Sequence, residues 1–204
     1  MDIVGACVLL VLLAPVIMAT AIAIKSTSPG PVIYTQVRLG RNAVPFRFYK
    51  FRSMTTGADE NVHREFVSNL IDGRHEEINQ GDAENPLYKL QGDPRVTRVG
   101  AFIRRTSIDE LPQLFNVLNG DMSLVGPRPP IVYEAERYQS WHLRRVLEGR
   151  PGITGLWQIE GRNRVSFDDM VRLDLRYTRT WSIWLDLKIL MRTVSTVLRP
   201  DSGC

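Results

Sequence analysis

Hydrophobic and polar positions divide the chain into one long apolar stretch and a remainder of short periodic segments. Ile3 to Ile24 reads I-V-G-A-C-V-L-L-V-L-L-A-P-V-I-M-A-T-A-I-A-I, without one charged side chain. About 20 apolar residues suffice to cross a bilayer. A cleaved signal peptide fits poorly, because Asp2 stands where a basic n-region belongs and the run is too long for an h-region. A buried core helix of this length without a polar break fits little better, so a membrane helix is the favoured reading. Pro15, near its middle, removes a backbone donor and bends or breaks the helix. A kinked helix dips into one leaflet and returns to the same face; a straight span that tolerates its proline is the competing form. The pattern alone leaves these two open.

Beyond Ile24 the segments shorten. Ser26 to Pro31 is a turn. Val32–Val37 and Pro45–Phe51 read as strands of a hairpin around Leu39 to Asn42. Residues 55–86 are polar and acidic, with weak helical periodicity from 58 to 71. Val99 to Arg105 is helical or extended. Ser107-Ile108-Asp109-Glu110 has the form of a capping box that opens a helix ending at Asn119-Gly120. A single amphipathic helix is expected over Val132–Glu148, and a short strand over Leu156–Ile159 between loops 151–155 and 161–163. Two more helices are expected at 166–178 and 182–198. In the second, Ile183, Leu187, Leu190, Met191, Val194, Val197 and Leu198 share one face. Core packing is the default for that stripe. Docking at a membrane interface is the alternative, since Trp181 and Trp184 lie beside Arg179 and Lys188.

Charge sharpens the picture. The net charge is +4 and the isoelectric point near 9.3. No acidic residue lies between Asp2 and Asp59, while Lys25, Arg38, Arg41, Arg47, Lys50 and Arg52 fall in that interval. A basic stretch directly after an apolar segment reads as cytoplasmic and juxtamembrane. Cys7 and Cys204 give no disulfide framework. His63, His75 and His142 lack metal-ligand spacing and read as surface or packing residues.

The densest chemistry runs from Arg104 to Pro129. It holds the adjacent carboxylates Asp109 and Glu110, the nearby Arg104, and a rigid Gly126-Pro127-Arg128-Pro129 corner. A carboxylate that attacks or holds a metal beside fixed positive charge is what phosphoryl transfer requires, because anions repel until neutralised. The capping box and helix dipole would by themselves account for both carboxylates. The flanking prolines restrict the backbone of Arg128 and cheapen presentation of its guanidinium. Arg162, in Gly161-Arg162-Asn163, suits a ligand loop. Ordinary surface turns explain either arginine equally well.

Taken together these segments resemble the bacterial sugar transferase family, the monotopic phosphoglycosyl transferases. The resemblance lies in the apolar helix with Pro15, then S-P-G-P-V-I-Y-T-Q-V-R-L-G-R, F-R-F-Y-K-F-R-S-M, the long segment D-P-R-V-T-R-V-G-A-F-I-R-R-T-S-I-D-E-L-P-Q-L-F-N-V-L-N-G-D-M-S-L-V-G-P-R-P, and R-P-G-I-T-G-L-W-Q-I-E-G-R-N. It implies an α+β, mostly helical fold: residues 1–25 as a re-entrant membrane helix, and 26–204 as a cytoplasmic catalytic domain with a short β-hairpin, amphipathic interfacial helices and a variable insertion at 55–89. It further implies that Asp109 is the nucleophile that takes a phosphosugar from a nucleoside diphosphate sugar, usually a UDP-sugar. UMP leaves, and polyprenyl phosphate then receives the phosphosugar. Glu110 completes the dyad and Mg2+ assists, with Asp109 as a metal-holding residue. Arg104 and Arg128 match arginines at the substrate phosphates, and Arg162, Pro127 and Pro129 match the nucleotide side. The implied location is the cytoplasmic face of a bacterial inner membrane. The family often carries serine before the helix-breaking proline, where this chain has Ala14. The chain reads as a short member or as a catalytic fragment that starts at the membrane helix.

Two other classes compete. A non-catalytic scaffold that binds nucleotide sugar or anionic lipid does not explain an intact Asp109-Glu110 pair. A nucleic-acid binder gives no reason for residues 3–24, so nucleic acid is not an expected partner. The transferred sugar and the oligomeric state, a homo-oligomer included, are not encoded in any local motif.

Overall fold

The structure is a computed structural model that describes residues 1–55, 57, 61–82, 86–88, 92–161 and 164–197. Helix α1 (Asp2–Thr27) is followed by strands β1 (Ile33–Leu39) and β2 (Pro45–Phe51), then α2 (Asn61–Ile71), α3 (His75–Ile78), α4 (Arg98–Arg105) and α5 (Gln113–Leu118). Next come β3 (Ser123–Val125), α6 (Val132–Ala135), α7 (Arg144–Glu148), β4 (Gly152–Thr154), α8 (Leu156–Glu160), α9 (Phe167–Arg179) and α10 (Ile183–Val197). The fold is mostly helical with two small two-stranded sheets. β1 and β2 pair antiparallel in the expected hairpin, with Tyr34 opposite Lys50, and β3 and β4 pair in parallel.

α1 continues through Pro15 as one helix, so no break appears there. The proline lies on the exposed side, and its missing N–H leaves one hydrogen bond of the helix unmade. The inward side of α1 rests along the rest of the molecule. Near its start, Ala6 is fully buried with Leu124 and Ile189, and a side chain on Gly5 would collide with Leu124. Near its end, Ile24 packs with Phe51 and Ile103. Asp2 ties the first turn to β3 by accepting from Ser123 Oγ at 2.9 Å and from the Leu124 amide at 3.2 Å. Arg52 ties the other end by donating to the carbonyls of Ser28 and Pro29. Ile3, Val4, Val8, Val11, Leu12 and Met18 remain exposed on the outer side.

Several segments depart from the periodicity. Residues 132–148 form two short helices, α6 and α7, instead of one. Between them His142 is buried against Tyr138, Trp141 and Phe167 and accepts the Gln139 amide on Nδ1. That amide is thereby removed from any helical ladder. The expected strand at 156–159 is helix α8, and the strand lies just before it, as β4. Residues 152–154 are extended because they must lie against β3: a Cβ on Gly152 would sit 2.0 Å from the Gly126 nitrogen, and one on Gly126 2.3 Å from the Arg150 carbonyl oxygen. Only glycine permits that approach. Most of the stripe on α10 points outward: Ile183, Leu187, Met191 and Val194 are exposed, as is Trp184, whereas Leu190 packs on the core beside buried Asp186 and Ile189, and Leu198 lies outside the described residues. Asp186 is turned inward by the hydroxyl of Tyr177 and the indole N–H of Trp181, which sets the helix rotation against its apolar pattern.

Candidate active site

Asp109 and Glu110 lie in a 3-10 turn spanning Ile108–Glu110, before α5 begins. The capping box does not form. Ser107 takes a left-handed conformation (φ 56°, ψ 15°) and its side chain caps nothing. This bend, uncommon for a residue with a Cβ, turns the carboxylates inward. Asn116 anchors the segment to β2: its Nδ2 donates to the Arg47 carbonyl at 2.6 Å and its Oδ1 accepts the Tyr49 amide at 3.1 Å. The buried asparagine thus sets the distance between the acid pair and the strand beside it.

Lys50 on β2 completes the arrangement. Its Nζ lies 3.2 Å from Asp109 Oδ2 and 3.0 Å from Glu110 Oε1. Sequence reading placed Lys50 only in a basic juxtamembrane stretch. The available signal was the two-residue alternation that puts it on the same side of β2 as buried Phe48. Arg128 reaches Glu110 Oε1 at 3.3 Å. Arg104, in the last turn of α4, makes no ion pair with the dyad but adds positive potential at Asp109.

Burial is the largest influence on both acids. It pushes the Asp109 carboxyl up, with Lys50 pulling it part of the way back. For Glu110, Lys50 and Arg128 together outweigh burial and hold the carboxyl down at about 2. The two neighbours are therefore unlike. Glu110 is a firmly ionised acceptor, and Asp109 is the more basic carboxylate of the pair.

The Pro127-Arg128-Pro129 corner is held from several sides. Pro127 follows β3, and its carbonyl accepts the Gly152 amide at 2.9 Å. The Pro129 carbonyl accepts from Arg38 Nη1 at 2.8 Å, and the Leu39 amide donates to the Pro130 carbonyl at 3.0 Å. Arg38 is buried and its guanidinium lies 4.3 Å from the centre of the Phe48 ring. Burial and the neighbouring Arg128 lower its pKa to about 10. Behind the corner, buried Arg145 donates to the Arg128 carbonyl and pairs with buried Asp174 at 2.6 Å. Neither Arg38 nor Arg145 stood out in the sequence, since nothing local distinguishes a buried arginine from a surface one. His63, on α2, makes a 2.7 Å hydrogen bond with the Tyr133 hydroxyl. Burial, followed by Arg38 and Arg128, lowers it to about 4. Arg162 lies outside the described residues.

The structure therefore brings Asp109, Glu110 and Arg128 together and adds Lys50; Pro127 and Pro129 flank Arg128 in the chain, and Arg104 acts on Asp109 through its charge. Among the described residues, no cluster of three or more His, Cys, Asp or Glu side chains forms a metal cage. Lys50 and Arg128 engage Asp109 Oδ2 and Glu110 Oε1, so Asp109 Oδ1 and Glu110 Oε2 are left as hard donors. One or two carboxylates plus substrate phosphate oxygens is how Mg2+ is commonly held, and this donor set fits it.

An acid pair held by cations thus sits in a domain packed along the long apolar helix α1. The chain matches the bacterial sugar transferase family over residues 1–200 and belongs to it. It is 52% identical over 170 residues to the galactosyl transferase CpsE of Streptococcus agalactiae, covering 83% of this chain and 35% of that protein. It is 48% identical over 174 residues to the undecaprenyl-phosphate galactose phosphotransferase of Salmonella typhimurium, covering 85% of this chain and 35% of the relative. Against the exopolysaccharide production protein ExoY of Rhizobium meliloti, identity is 42% over 196 residues, with 96% of this chain and 83% of the relative covered. The chain thus spans about a third of the first two relatives.

Proposed function

We propose that this chain transfers a sugar 1-phosphate from a UDP-sugar to polyprenyl phosphate, such as undecaprenyl phosphate, through a covalent intermediate on Asp109. The observation that carries this reading is the unlike acid pair clamped by Lys50 and Arg128. An Asp109 oxygen attacks the β-phosphorus of the donor. The bond from that phosphorus to the bridging oxygen breaks, and UMP leaves with the oxygen. A polyprenyl phosphate oxygen then attacks the same phosphorus, and Asp109 departs as a carboxylate. Burial favours this use of Asp109, because a carboxylate with a raised pKa is the stronger nucleophile. Glu110, ionised throughout, keeps Lys50 and Arg128 in place to meet the phosphate oxygens. Mg2+ held by the remaining oxygens of Asp109 and Glu110 would supply further neutralisation of phosphate charge. Arg104 adds potential at the same point, and Arg162 is assigned to the nucleotide by resemblance. Incubation with donor alone is the test: intact-protein mass should rise by one phosphosugar, with the adduct on Asp109. A protein that stays unmodified with donor alone, yet turns over when both substrates are present, rules the intermediate out.

The packing of α1 supports a location. At about 1.5 Å per residue the helix is roughly 39 Å long, enough to cross a bilayer. Yet its two ends are tied to one domain, by Asp2 at β3 and by Ile24 at β2 and α4. A span would have to pull one of them away. We therefore read α1 as lying within one leaflet, its outer apolar side in lipid, with the domain on the cytoplasmic face of the inner membrane. We assign the exposed stripe of α10 to the same boundary, as the apolar surface left uncovered beside Trp181 and Trp184. Cysteines introduced at position 2 and near position 60 should label from the same side with an impermeant reagent in oriented vesicles. Labelling from opposite sides would establish a span.

A further inference from the structure

Away from the dyad, α8, α9 and α10 border a small cleft of about 80 Å3, floored by buried Leu156 and Ile189 and rimmed by Glu160, Arg176, Lys188 and Arg192. Its charge is one-sided. The one carboxylate, Glu160, reaches Arg176 only at 3.8 Å, and both remain solvent-accessible. Among the described residues Lys188 and Arg192 make no ion pair. These side chains stand on α8, α9 and α10, whereas Lys50 is on β2 and Asp109 and Glu110 are in the 108–110 turn. The cleft borders the outward stripe of α10. At about 100° per residue, Lys188 and Arg192 lie between the exposed Trp184, Leu187 and Met191 on one side and the buried Ile189 on the other. An apolar stripe with cations along one flank suits the level at which acyl chains meet headgroups.

We propose that this cleft is a binding site for the phosphate headgroup of an anionic phospholipid, whose acyl chains run along the α10 stripe. The proposal rests on the reading of that stripe as membrane-facing. The ligand is bulk lipid and not the polyprenyl carrier, because the carrier phosphate must reach Asp109. Arg176, Lys188 and Arg192 supply the charge, and the apolar floor lowers the local dielectric and strengthens each contact.

The test compares binding of the full chain to phosphatidylcholine vesicles with and without phosphatidylglycerol. Arg176→Ala/Lys188→Ala/Arg192→Ala should cut the preference for the anionic vesicles roughly tenfold or more and leave binding to neutral vesicles unchanged. A charge-matched control, Arg74→Ala/Arg144→Ala/Arg172→Ala, should keep the preference, as should Arg176→Lys/Arg192→Lys. Equal loss in the cleft variant and the control would mean diffuse charge and overturn the site. Loss of the preference in millimolar inorganic phosphate would identify a soluble-phosphate site. A raised KM for polyprenyl phosphate at unchanged kcat in the cleft variant would identify an acceptor subsite. Either result overturns the proposal. Trp184→Glu should weaken binding to both kinds of vesicle; if it does not, the membrane placement of α10 falls, whereas an unaltered lipid preference in the cleft variant removes the headgroup site alone.

Discussion

Asp109→Asn is expected to lower UMP release from a UDP-sugar by about a thousandfold or more, with vesicle binding and thermal midpoint close to those of the parent. An amide of the same shape cannot form the ester-like bond to phosphorus, and loss of a covalent nucleophile costs on the order of the whole chemical advantage of the site. The residue is buried, and a neutral group there avoids the desolvation that raises the carboxyl pKa, so the fold should tolerate the change. Lys50 and Arg128 still hold Glu110. UMP release, intact mass after donor addition and thermal unfolding, measured on one preparation, separate a chemical defect from a folded-state one. Turnover within a few-fold of the parent would remove Asp109 from the nucleophile role.

Lys50→Met is expected to cost about 100-fold to 1000-fold in kcat/KM, in the range seen when one preorganised donor is removed. The pH dependence is the more diagnostic readout. Lys50 lowers both acids; without it the Asp109 carboxyl rises further and Glu110 climbs from about 2. Attack requires ionised Asp109, so the acid limb of kcat/KM should move to higher pH, and activity should fail earlier as the solution is acidified. Lys50→Arg should restore part of both. An unmoved acid limb in the methionine variant would mean that Lys50 does not set the ionisation of the pair. Stability follows the same linkage. Glu110 titrates below its usual 4.5 in the folded protein, so it favours folding above the ordinary value, and that contribution fades as pH falls toward 2.

Much of the machinery is legible in linear order. The carboxylates are adjacent, Arg128 sits between prolines, and the long segment 93–129 carries the family resemblance. Lys50 is not legible as a partner of the pair, because β2 and the 108–110 turn are nearly sixty residues apart. A salt bridge across that separation leaves no local trace. The left-handed Ser107 escapes for a different reason: S-x-x-E satisfies the capping rule on paper, and only the demand to bury Asp109 beside Lys50 selects the bend. On α10, periodicity locates a helix correctly but not its rotation. Asp186 is drawn inside by Tyr177 and Trp181, and the larger apolar stripe is left facing out.

Local composition was enough to specify the apolar α1, the β1–β2 hairpin, the extents of α9 and α10 to within a residue or two, and the acid pair, because helix and strand periods and adjacent carboxylates are properties of neighbours in the chain. Chain folding in three dimensions chose the lysine that clamps the pair, the parallel contact of β3 with β4, the outward side of α10 and the fastening of both ends of α1 to one domain. Those outcomes depend on close approaches between distant segments, where glycine clearance, buried polar bonds and desolvation outweigh local propensity.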